Sequence, residues 1–199
     1  MIESVTGILL AGGKSRRMGE DKRFLHVGEQ TLFERSLGTL RSCFSEVLVV
    51  IAQDSPALQA EVPVIRDLVP DCGSLGGLYT GLAQALTPYV FVVACDMPFL
   101  DPKAIRAVVD LKGRADIVMA RRENGLQPMH ALYGKRCLPV MEAMAKERRL
   151  KIQEIASDPA LTVYVIGEAE LNRIDPDGRS FLNVNTPSDL QAARKLEHS

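Results

Sequence analysis

Tyr89-Val90-Phe91-Val92-Val93-Ala94 carries no charge over six residues and then stops on Cys95-Asp96-Met97-Pro98. β-Branched and aromatic side chains without polar alternation describe a strand covered on both faces, as in a parallel sheet flanked by helices. Working outward, further strand patterns occupy residues 5–10, 47–52, 63–66, 116–120, 129–133 and 161–166. Helical spacing lies between them. Leu32, Phe33, Leu37 and Leu40 share one face, residues 75–86, 102–111 and 136–146 continue the pattern, and residues 187–196 close the chain as a helix. Strands alternating with helices from end to end predict an α/β fold with a mostly parallel sheet covered on both faces. No repeat, low-complexity stretch or Pro/Gly/Ser-rich linker divides the 199 residues, so one domain is expected.

Composition narrows the function classes. The chain is 46% hydrophobic and 25% charged with a formal net charge of -1, whereas nucleic-acid and membrane-surface proteins call for a basic face. No apolar run approaches the ~18 residues of a membrane span, and no signal-like segment opens the chain. A cytoplasmic protein with neither nucleic acid nor membrane as partner is expected. Cys43, Cys72, Cys95 and Cys137 lack the spacing of a zinc site or redox pair and read as reduced, buried thiols. The final Leu196-Glu197-His198-Ser199 is assigned no role.

Ligands of open α/β sheets bind beyond the carboxyl ends of the strands, and three unusual segments fall there. The first is Leu10-Ala11-Gly12-Gly13-Lys14-Ser15-Arg16-Arg17-Met18-Gly19-Glu20-Asp21-Lys22. Glycines let the backbone approach phosphates, and the five cations from Lys14 to Arg23 against two anions suit a small polyanion. The spacing is neither that of a Walker loop nor that of a dinucleotide fingerprint. By residue mix alone the segment is equally a solvated loop. Ser15 has no neighbouring base, which excludes covalent catalysis.

The second is Asp96, a carboxylate at the end of a buried strand. It can hold Mg2+ between protein and substrate phosphates, or simply form a turn. Asp67 is a weaker case of the same kind. The third is Gly73-Ser74-Leu75-Gly76-Gly77-Leu78, which opens a helix where a base or phosphate can approach, or where helix and sheet pack closely. A fourth segment is Asn183-Val184-Asn185-Thr186-Pro187-Ser188-Asp189. Thr186, Pro187 and Asp189 read as a helix start. Asn183 and Asn185, if on a strand, would present paired amides on one face. His26 reads as a strand or surface histidine, and His130 as either a core residue or a group reaching a site from a strand end.

In this order the segments resemble the molybdenum cofactor guanylyltransferases, the MobA-type branch of the nucleotidyltransferase superfamily. Leu10-Ala11-Gly12-Gly13 with Arg17-Met18-Gly19 and Asp21-Lys22 is similar to that family's opening motif. Cys95-Asp96-Met97-Pro98 is similar to its metal-binding turn, Leu75-Gly76-Gly77-Leu78 to its second glycine loop, and Asn183-Val184-Asn185-Thr186-Pro187 to its C-terminal motif. Ser74 stands where the family usually has proline. The resemblance implies a single three-layer α/β/α Rossmann-like domain over 1–199 that joins GMP from GTP to the phosphate of molybdopterin and releases pyrophosphate. A nucleotide- and Mg2+-binding half would span about 1–100 and an acceptor-binding half about 101–195. It further implies that Leu10, Ala11, Gly12, Gly13, Lys22, Asp67, Gly76, Gly77 and Asp96 bind nucleotide, that Asp96 holds Mg2+, that Arg17, Lys22 and Asp96 act in catalysis, and that Asn183 and Asn185 face the acceptor. Proteins that deliver the cofactor and receive it into molybdoenzymes are the implied macromolecular partners. The rival readings are a cytidylyltransferase acting on the same pterin, another small-molecule nucleotidyltransferase, and a non-catalytic nucleotide-binding regulator. By the same resemblance, related cytidylyl enzymes carry Ala-Ala-Gly where this chain has Ala11-Gly12-Gly13, which favours GTP.

Overall fold

A computed structural model of the chain describes residues 1–12 and 21–197. In chain order these form β1 (Val5–Leu10), β2 (His26–Val27), β3 (Gln30–Thr31), α1 (Leu32–Cys43), β4 (Val47–Ile51), β5 (Val64–Arg66), α2 (Gly73–Gln84) and β6 (Tyr89–Ala94). The second half holds α3 (Pro102–Val109), β7 (Ile117–Arg122), β8 (Gly125–Gly134), α4 (Leu138–Lys146), β9 (Val163–Ile166), α5 (Glu168–Ile174) and α6 (Pro187–Glu197), with short 3-10 turns between some of them.

Seven strands make one sheet in the order β5-β4-β1-β6-β8-β7-β9. Every neighbouring pair is parallel except those of β8, which runs antiparallel to both β6 and β7. The sheet is therefore mostly parallel, as the sequence predicts. Its layers arise from side-chain parity, since successive residues of a strand face opposite ways. Leu9, Val49, Phe91 and Val93 join Leu37, Leu40, Ile105 and Leu171 from α1, α3 and α5 in one core. Ile8, Leu10, Val50 and Val92 join Leu75, Leu78, Leu82, Met141 and Met144 from α2 and α4 in another. Helices on both faces explain the unbroken apolar run of β6, whose four central residues are buried.

Two expectations are corrected. Alternation of strands with helices does not run from end to end, because β7 and β8 form a hairpin pairing Arg122 with Gly125. The two-residue loop Glu123-Asn124 is followed by Gly125 at φ 107, a tight-turn chemistry that the helix-strand alternation hides. Residues 182–185 are not a strand, so the two asparagines are not set side by side by a pleat. The chain also holds α5 and the small β2–β3 ribbon, neither of which the periodicity predicts. Their brevity is the reason, since two-residue strands and a seven-residue helix carry almost no period.

Candidate active site

β1, β4 and β6 end side by side, and the segment after each strand helps to build the site. Ala11 continues the ladder of β1, donating its N–H to Val50 O at 2.9 Å, and Cys95 N reaches back to Leu10 O at 3.0 Å. These bonds fix Gly12 and Asp96 at the same edge. The chain then returns through Asp21, whose carboxylate receives Arg23 Nε and caps the 3-10 turn at Arg23 N, while Arg23 Nη1 donates to Ala11 O at 3.4 Å. Arg23 is 5% exposed. It is a buried strut for the loop rather than one of the cations open to a polyanion. Pairing with Arg23 holds the Asp21 carboxyl below its usual range.

Asp96 is 8% exposed. Its Oδ2 accepts from Lys22 Nζ, and its Oδ1 is buried without a partner among the described residues. Lys22 Nζ also approaches Asn185 Oδ1 at 3.4 Å. The Asp96 main chain is held from the C-terminal side, where Val184 N donates to Asp96 O at 2.8 Å. Asp96 sits in the turn that Met97 N closes on Ala94 O at 3.3 Å, but its carboxylate caps no N–H of that turn. A buried carboxylate oxygen with an open lone pair fits an oxygen-seeking divalent ion that takes its other ligands from phosphates and water. Among the described residues no group of three or more His, Cys, Asp or Glu side chains surrounds it.

Beside this edge lies a cleft of about 550 Å3, lined among others by Gly12, Ala52, Gln53, Asp67, Ser74 and Gly77. Asp67 is 6% exposed, and its Oδ1 accepts from Val69 N at 2.9 Å and Thr80 Oγ1 at 3.0 Å. Burial pushes its carboxyl upward against those bonds. The amino end of α2 also opens here. Its N-cap Cys72 makes no side-chain cap, and Asp71 and Gly73 take left-handed backbone at φ 61 and 56. Uncapped N–H groups at a helix start favour electron-rich ligand atoms.

Known proteins share both the scaffold and the sequence that builds it. A family model described as the MobA-like NTP transferase domain matches residues 7–158. The chain belongs to this family. A probable molybdenum cofactor guanylyltransferase of Pelotomaculum thermopropionicum is 35% identical, covering 96% of this chain and 92% of the relative. The molybdenum cofactor guanylyltransferase of Desulfosudis oleivorans is 34% identical over 96% and 95% of the two chains. Among solved structures, molybdopterin-guanine dinucleotide biosynthesis protein A of Archaeoglobus fulgidus superposes with a TM-score of 0.86 at 24% identity, covering 96% of this chain and 98% of that one.

Within this MobA-like frame the residues singled out in the sequence fall in different places. Lys22 and Asp96 meet directly, with Asn185 alongside. Leu10, Gly12, Asp67 and Gly77 line the cleft together. Gly76 does not: a side chain there would meet Val69 O at 2.5 Å and Asp67 Oδ2 at 2.6 Å, so its bareness serves packing against Asp67. Gly13 and Arg17, with the rest of residues 13–20, lie outside the described residues. Asn183 is exposed and its Nδ2 turns back to Phe181 O at 3.3 Å.

Two residues of the glycine-rich segment are already engaged by the fold. Lys22 is not an exposed cation waiting for phosphate, because its side chain is 20% exposed and already paired. Gly12 has no left-handed φ. A methyl there would stand 2.8 Å from Ala52 N, so the close approach is to the neighbouring strand. His130 sits wholly buried between Phe91 and Phe181 with neither ring nitrogen paired, and reaches no part of the site. Burial lowers its pKa to about 4. Cys95, next to Asp96, is pushed up to about 12 by burial and is no nucleophile. Sequence reasoning overlooked Arg23 as the strut and Gln53 as a lining residue. The second had a signal, namely its place two residues past the end of β4.

Proposed function

We infer that this chain transfers GMP from GTP to the phosphate of molybdopterin, giving molybdopterin guanine dinucleotide and pyrophosphate. The observation that carries the reading is the Asp96 carboxylate at the end of β6, one oxygen on Lys22 and the other buried and unpartnered, beside a cleft lined by Gly12 and Asp67. The names of the relatives supply the substrates, and the site chemistry agrees with them. The attacking phosphate is ionised at neutral pH, so no strong general base is required, and among the described residues no histidine contacts Asp96. Asp67 offers carboxylate oxygens to the cleft, which suit the two kinds of N–H that guanine presents along one edge. The α2 amides and Lys22 supply positive potential for the triphosphate. We assign Asn183 and Asn185 to binding of the acceptor, Gly13 to binding of the nucleotide and Arg17 to catalysis.

Mg2+ is the proposed cofactor, held by Asp96 together with nucleotide phosphates; when bound it neutralises charge at the α-phosphate. A solved mycobacterial neighbour, Rv0371c, is described as a complex with manganese, at a TM-score of 0.71 and 18% identity. Asp96 would hold the ion, Lys22 would neutralise phosphate oxygens, and the strand ends would position the nucleotide and acceptor for transfer. We place the reaction in the cytoplasm, where GTP is abundant, with 1–199 acting as one unit and with cofactor-delivering and cofactor-receiving proteins as partners. Among the described residues no helix is long and apolar enough to cross a membrane.

Pyrophosphate release measured with each of the four nucleoside triphosphates, with and without molybdopterin, tests the reading. Release confined to GTP plus molybdopterin is the expected result. Equal release with CTP would leave nucleotidyl transfer standing and remove the guanylyl assignment.

A further inference from the structure

Lys22 and a divalent ion compete for one carboxylate. Lys22 Nζ holds Asp96 Oδ2, and the two side chains are only 20% and 11% exposed. The main chain on both sides of the pair is pinned. Asp21, just before Lys22, is clamped by Arg23, and Val184 N holds Asp96 O. The pair is thus set by the scaffold and is not an accident of a long surface side chain. A cation on the open Oδ1 would sit within a few ångströms of the ammonium, behind protein that screens poorly. No cluster of three potential ligand side chains is present among the described residues to offset that repulsion. A nucleotide triphosphate changes both terms at once, bringing anionic oxygens for the metal and for the ammonium. Asn185 Oδ1, 3.4 Å from Nζ, gives Lys22 a neutral foothold outside the carboxylate.

We propose that Lys22 is a built-in counter-ion that keeps Asp96 closed to divalent cations until a triphosphate relieves it, so that metal enters with the nucleotide and not before. This rests on the reading of Asp96 as the metal ligand, though not on which base or acceptor is used. The device has a use. A site that refuses bare cations cannot be filled by a tightly held ion lacking substrate, and Lys22 is delivered to the phosphates at the moment the metal arrives. Through Asn185 the same ammonium also touches the segment proposed to face the acceptor.

The test needs no turnover. Mn2+ binding to the nucleotide-free protein is followed by electron paramagnetic resonance at pH 8, for wild type, Lys22→Met, Lys22→Arg and the double variant Lys22→Met/Asp96→Asn, with circular dichroism confirming the fold. Wild type and Lys22→Arg should bind Mn2+ weakly, Lys22→Met at least tenfold more tightly, and the double variant should lose that gain. Adding a non-hydrolysable GTP analogue should tighten Mn2+ binding to wild type far more than to Lys22→Met. Equal affinity in wild type and Lys22→Met overturns the proposal, as does absence of binding in both. A gain that survives Asp96→Asn overturns it by placing the ion elsewhere. If Lys22→Met does not fold, Lys22→Gln replaces it under the same criteria. A failed GTP preference in the pyrophosphate assay leaves these outcomes untouched.

Discussion

Gly12→Ala separates two reasons for a glycine at the mouth of the cleft proposed to hold nucleotide. An added Cβ would stand 2.8 Å from Ala52 N and 3.5 Å from both Ala52 Cα and Cβ. The obstacle is main chain next to the end of β4, which cannot swing aside, so β1 and β4 must separate locally. Overpacking of this kind costs ~1–3 kcal/mol, and the lost flexibility of the unfolded chain returns only ~0.4–1 kcal/mol. A net loss of roughly 1–2 kcal/mol lowers Tm by about 2–8 °C in a chain of this size. Calorimetry without nucleotide gives the Tm, and isothermal titration with GTP gives the affinity. Both should fall, the second because Gly12 and Ala52 line the cleft together. An unchanged or raised Tm accompanied by lost GTP affinity would refute the packing argument and mean that the methyl meets the nucleotide itself.

Asp96→Ala should cut kcat by ~10²-fold or more, about 3 kcal/mol, while the protein stays folded; near wild-type kcat at saturating Mg2+ would remove the metal assignment. Lys22→Ala should weaken GTP binding and, because its partner is a poorly exposed carboxylate, also cost roughly 1–2 kcal/mol in urea unfolding. Gly76→Ala should be the most damaging glycine change, at ~2–4 kcal/mol by the same unfolding measurement, because its methyl would meet Val69 O and Asp67 Oδ2; Gly77→Ala, facing the flexible Leu10 tip at 3.3 Å, should be mild. His130, at about 4 when folded and 6.5 when unfolded, takes up its proton more readily in the unfolded chain, so its contribution is present above pH 6.5 and is lost as pH falls toward 4. The loss amounts to at most ~3 kcal/mol. Unfolding curves between pH 7 and 4 should flatten in His130→Leu, and an identical pH dependence in the two proteins would show that His130 is not the group responsible.

The architecture was legible because buried parallel strands write themselves as continuous apolar runs. Tyr89–Ala94 and Val5–Leu10 needed no help from tertiary context. The hairpin of β7 and β8 was hidden because Pro128 and His130 interrupt the strand pattern, and the structure shows an irregular register there. At the candidate site, residue type singled out Asp96 and Asp67 as carboxylates past the ends of apolar strands, and the structure brings Lys22 to the first and the cleft to the second. Partnership was not legible. Sequence cannot say that Arg23 turns inward to Asp21 while Lys22 turns to Asp96, because the two are adjacent cations and only the 3-10 turn aims them differently. Gly76 and Gly77 show the same limit. Neighbours of identical type, one is bare to admit a carboxylate and the other lines the cleft.

The bond from Val184 N to Asp96 O ties the end of β6 to a segment that enters the chain much later. During synthesis the strands β1, β4 and β6 and the cleft beside them are available to fold well before residues 183–185 exist. A nascent chain can therefore acquire this cleft long before it has the brace that fixes Asp96 or the Asn185 contact to Lys22. Completion of the edge around Asp96 becomes a late event in the life of each molecule.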